Sequence, residues 1–174
     1  MSLNATITYS PRRGSKGGSG PERPFPPLVQ RLLQDRGWPL VNGEELEALV
    51  RQTAAENPDG AVVLFCAGDH ERYPQVLDVA VVLPELVTHF DGRLQPAVAA
   101  RAAEEAFARR FGFHQWPSLV FLRGERHLGT ISRMQDWQVY LARIRALLDE
   151  ESDGSAEPDP AGSGDAGARR SKQS

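Results

Sequence analysis

One stretch, residues 111–125 (FGFHQWPSLVFLRGE), constrains the fold more than any other part of the chain. Pro117 lacks a backbone N–H and disfavours the helical conformation at the residue before it, so it can begin a strand but cannot lie inside a central one. Residues 118–122 are apolar enough for a buried strand. Gly124 permits a tight turn, after which residues 126–131 can return antiparallel. The stretch therefore predicts a β-hairpin that begins at a proline.

Before this hairpin, predicted helices and strands alternate. Strands are predicted at the apolar runs 61–66 and 94–99, with a short extended segment at 38–41. Helices are predicted from Pro26 to Gly37, over 44–51 with Asn42 as N-cap, and over 75–90 with a kink or break at Pro84. Two more are predicted over 102–110 and over 137–148, the last with Asp136 as cap and with Trp137 on its buried stripe. Such alternation is typical of parallel strands, whereas the hairpin adds an antiparallel pair at the edge. We expect an α/β fold with a central mixed sheet of four to five strands and helices on both faces.

Composition separates the two ends of the chain from its middle. Residues 1–24 are rich in Gly, Ser and Pro with a net charge of +3, and residues 150–174 are rich in Gly, Ser, Pro and acids with a net charge of −3. Both are predicted to be disordered, because they have little apolar surface to bury. The folded domain is therefore predicted to span residues 25–149. The overall net charge of −3 argues against a general nucleic-acid-binding protein, and no apolar run approaches the ~18 residues needed to span a membrane.

The cysteine content excludes whole classes of chemistry. Cys66 is the only cysteine, so an intrachain disulfide, a CxxC redox pair and a cysteine-based zinc site are all excluded. Because it ends an apolar run, we predict that Cys66 is a small buried hydrophobic residue; a reactive thiol is the alternative. The histidines lack HxxxH or ExxH spacing, and GxSxG, GxGxxG and P-loop motifs are absent. We therefore predict no catalytic residue, no metal site and no cofactor.

The order of elements, with the hairpin after a proline, resembles the thioredoxin fold, in which that proline is cis and lies against the active-site loop. The polar loop at residues 67–74, after the strand that ends at Cys66, carries no Cys-x-x-Cys. Three blocks resemble the NiFe-hydrogenase expression/formation proteins of the HupG/HyaE type: 78–87 (DVAVVLPELV), 111–123 and 128–137 (LGTISRMQDW). This resemblance covers about residues 25–149. It implies that the Trp116-Pro117 bond is cis.

The same resemblance implies a function and a partner. Members of the family are thioredoxin-like proteins without the dithiol, expected to act as cytoplasmic chaperones for the hydrogenase small subunit and to engage its twin-arginine signal peptide before export. Two alternatives stay open: a scaffold subunit held in a complex with another maturation protein, and a single-cysteine thiol protein that acts through Cys66. No nucleic acid and no membrane insertion are expected.

A twin-arginine signal presents two guanidinium groups followed by an apolar stretch, so a protein that binds it needs carboxylates beside an apolar surface. The backbone of Trp116, before Pro117, could pair with an extended peptide by strand addition. The predicted carboxylates are Asp69 and Glu71 in the loop and Asp78 and Glu85 on the following helix, and the predicted apolar contacts are Trp116, Tyr73 and Val76. We therefore predict a peptide-binding site at these residues.

Overall fold

The computed structural model describes residues 23–149. The predicted disorder of residues 1–24 and 150–174 lies outside the described residues, apart from Arg23 and Pro24. The described chain contains, in order, α1 Pro27–Gln34, β1 Leu40–Val41, α2 Gly43–Glu56, β2 Ala61–Cys66, α3 Gln75–His89, β3 Leu94–Ala99, a 3₁₀ turn Arg101–Ala103, α4 Glu104–Phe111, β4 Ser118–Arg123, β5 Arg126–Ser132 and α5 Trp137–Asp149.

The five strands form one mixed sheet in the order β1-β3-β2-β4-β5. β3 pairs in parallel with both β1 and β2, whereas β4 pairs antiparallel with β2 and β5. This confirms the predicted mixed sheet and its hairpin. Only β5 of the hairpin is an edge strand, because β4 also pairs with β2. The central strand β2 is buried along its whole length.

Helices cover both faces of the sheet, as predicted, and the side chains of β2 alternate between them. Val63 and Phe65 belong to a core shared with α1, α3 and α5. Leu64 and Cys66 point to the opposite face and pack with α2 and α4. The residue after Cys66 therefore leaves the sheet at its middle, between two packed layers.

In α3 the structure excludes a break at Pro84, one of the two predicted possibilities, and in α5 it contradicts the predicted burial of Trp137. α3 is one continuous helix with Pro84 inside it, so the chain does not break there. The proline removes one helical hydrogen bond, but the helix is held by an inward face on which Leu83 and Leu86 are fully buried. Trp137, predicted to lie on the buried stripe of α5, is 38% exposed. Because it is the first residue of that helix, its ring lies edge-on to His89 with 5.8 Å between ring centroids instead of entering the core.

None of the helices between residues 23 and 149 is both long enough and apolar enough to cross a membrane.

The predicted cap at Asn42 is confirmed and gives a test of the fold. Asn42 Oδ1 accepts a hydrogen bond from the Glu45 N–H, and Glu45 Oε1 accepts one from the Asn42 N–H, both at 2.9 Å. Asn42→Ala should lower the free energy of unfolding by about 1 kcal/mol, because an amide at the helix start loses its acceptor. Urea denaturation measures this. Gln52→Ala, at an exposed position within the same helix, is the control, and an equal loss there would contradict the capping role.

Candidate functional site

The loop at residues 67–74 meets the Trp116-Pro117 bond because of the register of two strands. β2 and β4 are antiparallel, with Cys66 opposite Ser118. The residues that follow Cys66 and those that precede Ser118 therefore leave the sheet side by side. The Trp116-Pro117 peptide bond is cis, as the family resemblance implied. Pro117 is buried and Trp116 is half-buried, so this junction lies at the protein surface.

The loop approaches Trp116 so closely that only glycine fits at position 68. Gly68 has φ +76°, in the left-handed region that glycine adopts most readily. A Cβ atom on Gly68 would lie 2.8 Å from the Cβ of Trp116. The backbone of the loop therefore lies directly against the Trp116 side chain.

An almost buried ion pair holds this loop in place. Glu104 Oε2 accepts a hydrogen bond from the Gly68 N–H at 3.0 Å, and Arg101 Nη1 donates to the Gly68 carbonyl at 2.5 Å. The Arg101 and Glu104 side chains are 11% and 9% exposed, and Arg101 Nη1 lies 3.4 Å from Glu104 Oε1. Burial raises the pKa of Glu104, while the Gly68 N–H and the Arg101 charge oppose that rise. The N–H and the carbonyl group of Gly68 are thus both hydrogen-bonded to side chains at or just before the start of α4.

Sequence reasoning missed Arg101 and Glu104. They lie more than 30 residues from Gly68 along the chain, and each looks like an ordinary charged residue at the start of a helix. A buried position for a glutamate is unusual unless it is paired, but burial is visible only once α4 is packed on the sheet.

Asp69 is a charged carboxylate that already holds a guanidinium group. Its Oδ1 accepts a hydrogen bond from the Glu71 N–H at 2.9 Å, and its Oδ2 lies 2.5 Å from Arg23 Nη1. The pKa of Asp69 is lowered, first by the Glu71 hydrogen bond and then, against some desolvation, by Arg23 and other nearby cationic groups. The Asp69 carbonyl accepts hydrogen bonds from the N–H groups of Arg72 and Tyr73, which closes the loop into a turn.

The other predicted residues divide between the loop and α3. Glu71 is exposed and Tyr73 half-buried in the same turn as Asp69. Asp78 and Glu85 are exposed on α3, and Glu85 lies ten residues after the helix start, about 15 Å along its axis. The structure thus brings Asp69, Glu71 and Tyr73 together in one turn directly after Gly68, which packs against Trp116, while Glu85 lies further along α3.

The exposed apolar residue on α3 is Val81 and not the predicted Val76. Val76 is fully buried in the core and does not lie on a surface, because position 76 faces the sheet. Val81 is 55% exposed and was not predicted. It follows Asp78 by three residues and precedes Glu85 by four, so the three side chains share one face of the helix. That spacing was the signal that could have identified it.

Cys66 lies behind the loop and away from solvent. It is fully buried, which confirms the prediction. Burial, and to a lesser degree the charge of Glu104, raises the pKa of its thiol well above the usual value. A protonated, buried thiol is a poor nucleophile. Within residues 23–149, no three His, Cys, Asp or Glu side chains are grouped so that they could hold a metal ion.

Comparison with known proteins places this geometry in context. Residues 28–140 match the family model described as Hydrogenase-1 expression protein HyaE. The chain is 49% identical to the hydrogenase expression/formation protein HoxO of Azotobacter vinelandii, over 73% of this chain and 81% of HoxO. It is 47% identical to the hydrogenase expression/formation protein HupG of Bradyrhizobium diazoefficiens, over 59% of this chain and 70% of HupG. Thioredoxin of Fasciola hepatica superposes with a TM-score of 0.50 at 15% identity, over 62% of this chain and 97% of thioredoxin. The fold is thioredoxin-like.

The contact between Gly68 and Trp116 predicts that an alanine substitution destabilises the protein more at Gly68 than at Gly112. Gly68 and Gly112 both have positive φ, but a Cβ at Gly112 would meet open space. Gly112→Ala should cost about 1–2 kcal/mol of unfolding free energy for the backbone conformation alone. Gly68→Ala should cost about 1–3 kcal/mol more, because the added methyl group collides with Trp116. Urea denaturation of both variants compares them, and equal losses would contradict the close approach.

The burial of Cys66 predicts that its thiol reacts slowly with a thiol reagent. At pH 8 an aromatic disulfide reagent should label the native chain roughly a hundredfold more slowly than the chain unfolded in urea, because labelling requires opening of the structure. The released chromophore measures the rate, and Cys66 is the only cysteine that can contribute. Rapid stoichiometric labelling of the native protein would show that the thiol is accessible and reactive.

Proposed function

Since this chain belongs to the HyaE family of hydrogenase expression/formation proteins, we propose that it is a non-catalytic chaperone in NiFe-hydrogenase maturation. It binds the hydrogenase small subunit in the cytoplasm and engages the twin-arginine signal peptide of that subunit before export. The observation that carries the proposal is the charged Asp69 carboxylate, which holds a guanidinium group in the loop that packs against Trp116. The experiment that tests it is calorimetric titration with the signal peptide.

Charge-assisted hydrogen bonds from a guanidinium to a carboxylate are short and directional, so they suit recognition of a fixed pair of arginines. Asp69 supplies one such carboxylate, and its lowered pKa keeps it charged. Glu71, exposed two residues later in the same turn, supplies the second. Two acids in one rigid turn can therefore meet two adjacent guanidinium groups.

The apolar stretch that follows the arginines needs a surface of its own. Tyr73 in the loop and Trp116 beside Gly68 are both half-buried and each offers aromatic area, with Tyr73 packed on one face of the sheet and Trp116 on the other. On α3, the exposed Val81 lies between Asp78 and Glu85. These three side chains extend along α3 the combination of acidic and apolar groups that is found at the loop. Val81 replaces Val76 as the apolar contact on this helix.

The backbone beside the cis bond offers a third kind of contact. β4 begins at Ser118, and this first residue is already paired with both β2 and β5. Trp116 lies just before this paired region, so an extended segment can add to its backbone as a short strand. Main-chain pairing supplies affinity whatever the side chains are, while the acids select arginine.

The sulfur chemistry of a thioredoxin is not needed for this function. A thiol that acts on a partner must be accessible and partly deprotonated. Cys66 is fully buried, and its pKa is raised. This argues against the alternative in which the chain acts through a single reactive cysteine.

Charge reversal in the loop tests the proposal. Glu71→Lys should weaken binding of a synthetic twin-arginine signal peptide by about 1 kcal/mol, roughly fivefold, because an attractive carboxylate is replaced by a repelling ammonium. Glu85→Lys should weaken it less, since Glu85 lies further from the turn. Titration calorimetry at low salt measures both, and the affinity of the unmodified chain should fall as salt is raised.

Glu125→Lys is the matched control. This exposed acid lies in the hairpin turn at the other end of β4, about 20 Å from Trp116, and its reversal makes the same change in net charge. Equal effects of Glu71→Lys and Glu125→Lys would mean that only the overall charge matters. Absence of any peptide binding by the unmodified chain would remove the proposal.

A further inference from the structure

We propose that the chain's own segment Arg23–Pro24–Phe25 is an intramolecular competitor for the arginine-binding surface at Asp69. An incoming arginine-bearing peptide must displace this segment before it can bind. The inference rests on the proposed function and adds a regulatory contact to it.

The first support is that the acceptor is already in use. Asp69 Oδ1 accepts a hydrogen bond from the Glu71 N–H, and Asp69 Oδ2 accepts one from Arg23 Nη1, with 2.5 Å between Oδ2 and Nη1. The Asp69 side chain is 22% exposed, so a second guanidinium has little room to approach while the first stays. The Arg23 side chain is 65% exposed, which means that solvent and a competing ligand can reach it.

The second support is that Arg101 binds the backbone of the same segment. Its Nε donates to the Arg23 carbonyl at 3.1 Å and its Nη2 to the Pro24 carbonyl at 3.3 Å. Its guanidinium carbon lies 4.3 Å from the centroid of the Phe25 ring. Arg101 also donates to Gly68. One side chain therefore joins the segment to the loop.

The third support is that Arg23 is anchored close to Asp69, while its ion pair with Asp69 is weak enough to be displaced. Phe25 packs against the core, and its carbonyl accepts a hydrogen bond from the Gln30 side chain at 2.7 Å. Arg23 is thus tethered two residues from a fixed point, which gives it an effective concentration on the order of millimolar at Asp69. An exposed ion pair is weak by itself. The contact is therefore occupied in the free protein, yet a peptide that makes additional contacts can displace it.

The test compares two arginine variants of the full chain. Arg23→Ala should raise the affinity for the synthetic twin-arginine signal peptide by about two- to fivefold, because the competitor is weakened. Arg36→Ala removes the same charge from an exposed position two residues after α1 and should leave the affinity unchanged. Without peptide, the amide NMR signals of Gly68 and Glu71 should move in the Arg23 variant and not in the Arg36 variant.

The outcomes separate the two proposals. If the unmodified chain binds the peptide and Arg23→Ala binds it equally or more weakly, the competition is overturned while the proposed function stands. If both arginine variants gain affinity equally, net charge is the cause and the competition is again overturned. If neither the unmodified chain nor Arg23→Ala binds the peptide, the proposed function fails and the inference fails with it.

Discussion

The structure of the site depends on the two hydrogen bonds that Arg101 and Glu104 make to the backbone of Gly68. A loop that leaves the middle of a sheet exposes polar backbone groups to a nearly dry environment, and each must find a partner. Here an ion pair with both side chains about nine-tenths buried supplies a donor and an acceptor at once. A buried ion pair of this kind stabilises a fold little, since desolvation offsets the attraction, but it fixes geometry.

That fixed geometry supports the proposed role of this thioredoxin-like scaffold in recognition. The loop lies at the junction of β2 and β4, next to the cis bond before Pro117. A sulfur pair is absent from the sequence, and the remaining thiol of Cys66 faces away from the surface. What the loop presents instead is the charged carboxylate of Asp69. The loop therefore offers a carboxylate that pairs with a guanidinium group, and no thiol pair.

Arg101 connects this loop to the start of the described chain. Its guanidinium bonds to Gly68 on one side and to the carbonyls of Arg23 and Pro24 on the other. The same residue that holds the recognition loop therefore also holds a segment lying on it. In the proposed competition, binding of a partner and release of this segment are coupled through this one side chain.

Most of the fold could be predicted because its signals are local. The capping pattern at Asn42, the apolar run of β2 and the glycine turn of the hairpin each depend on neighbours a few residues away. The burial of Cys66 followed from the same run. The geometry of the candidate site could be predicted only in part: the turn that carries Asp69 and Glu71 was recognised as a polar loop, and the cis bond came from a family resemblance.

The tertiary structure alone decided which side of each helix meets the core and which distant charges meet each other. Val76 is buried and Trp137 is partly exposed because helix packing, and not composition, selects the face of each helix that is buried. Arg23 and Asp69 are 46 residues apart, and no spacing rule connects them. The sequence by itself determined local structure, since that depends on short-range sterics and hydrogen bonding. The candidate site depends on contacts between segments that only the folded chain brings together.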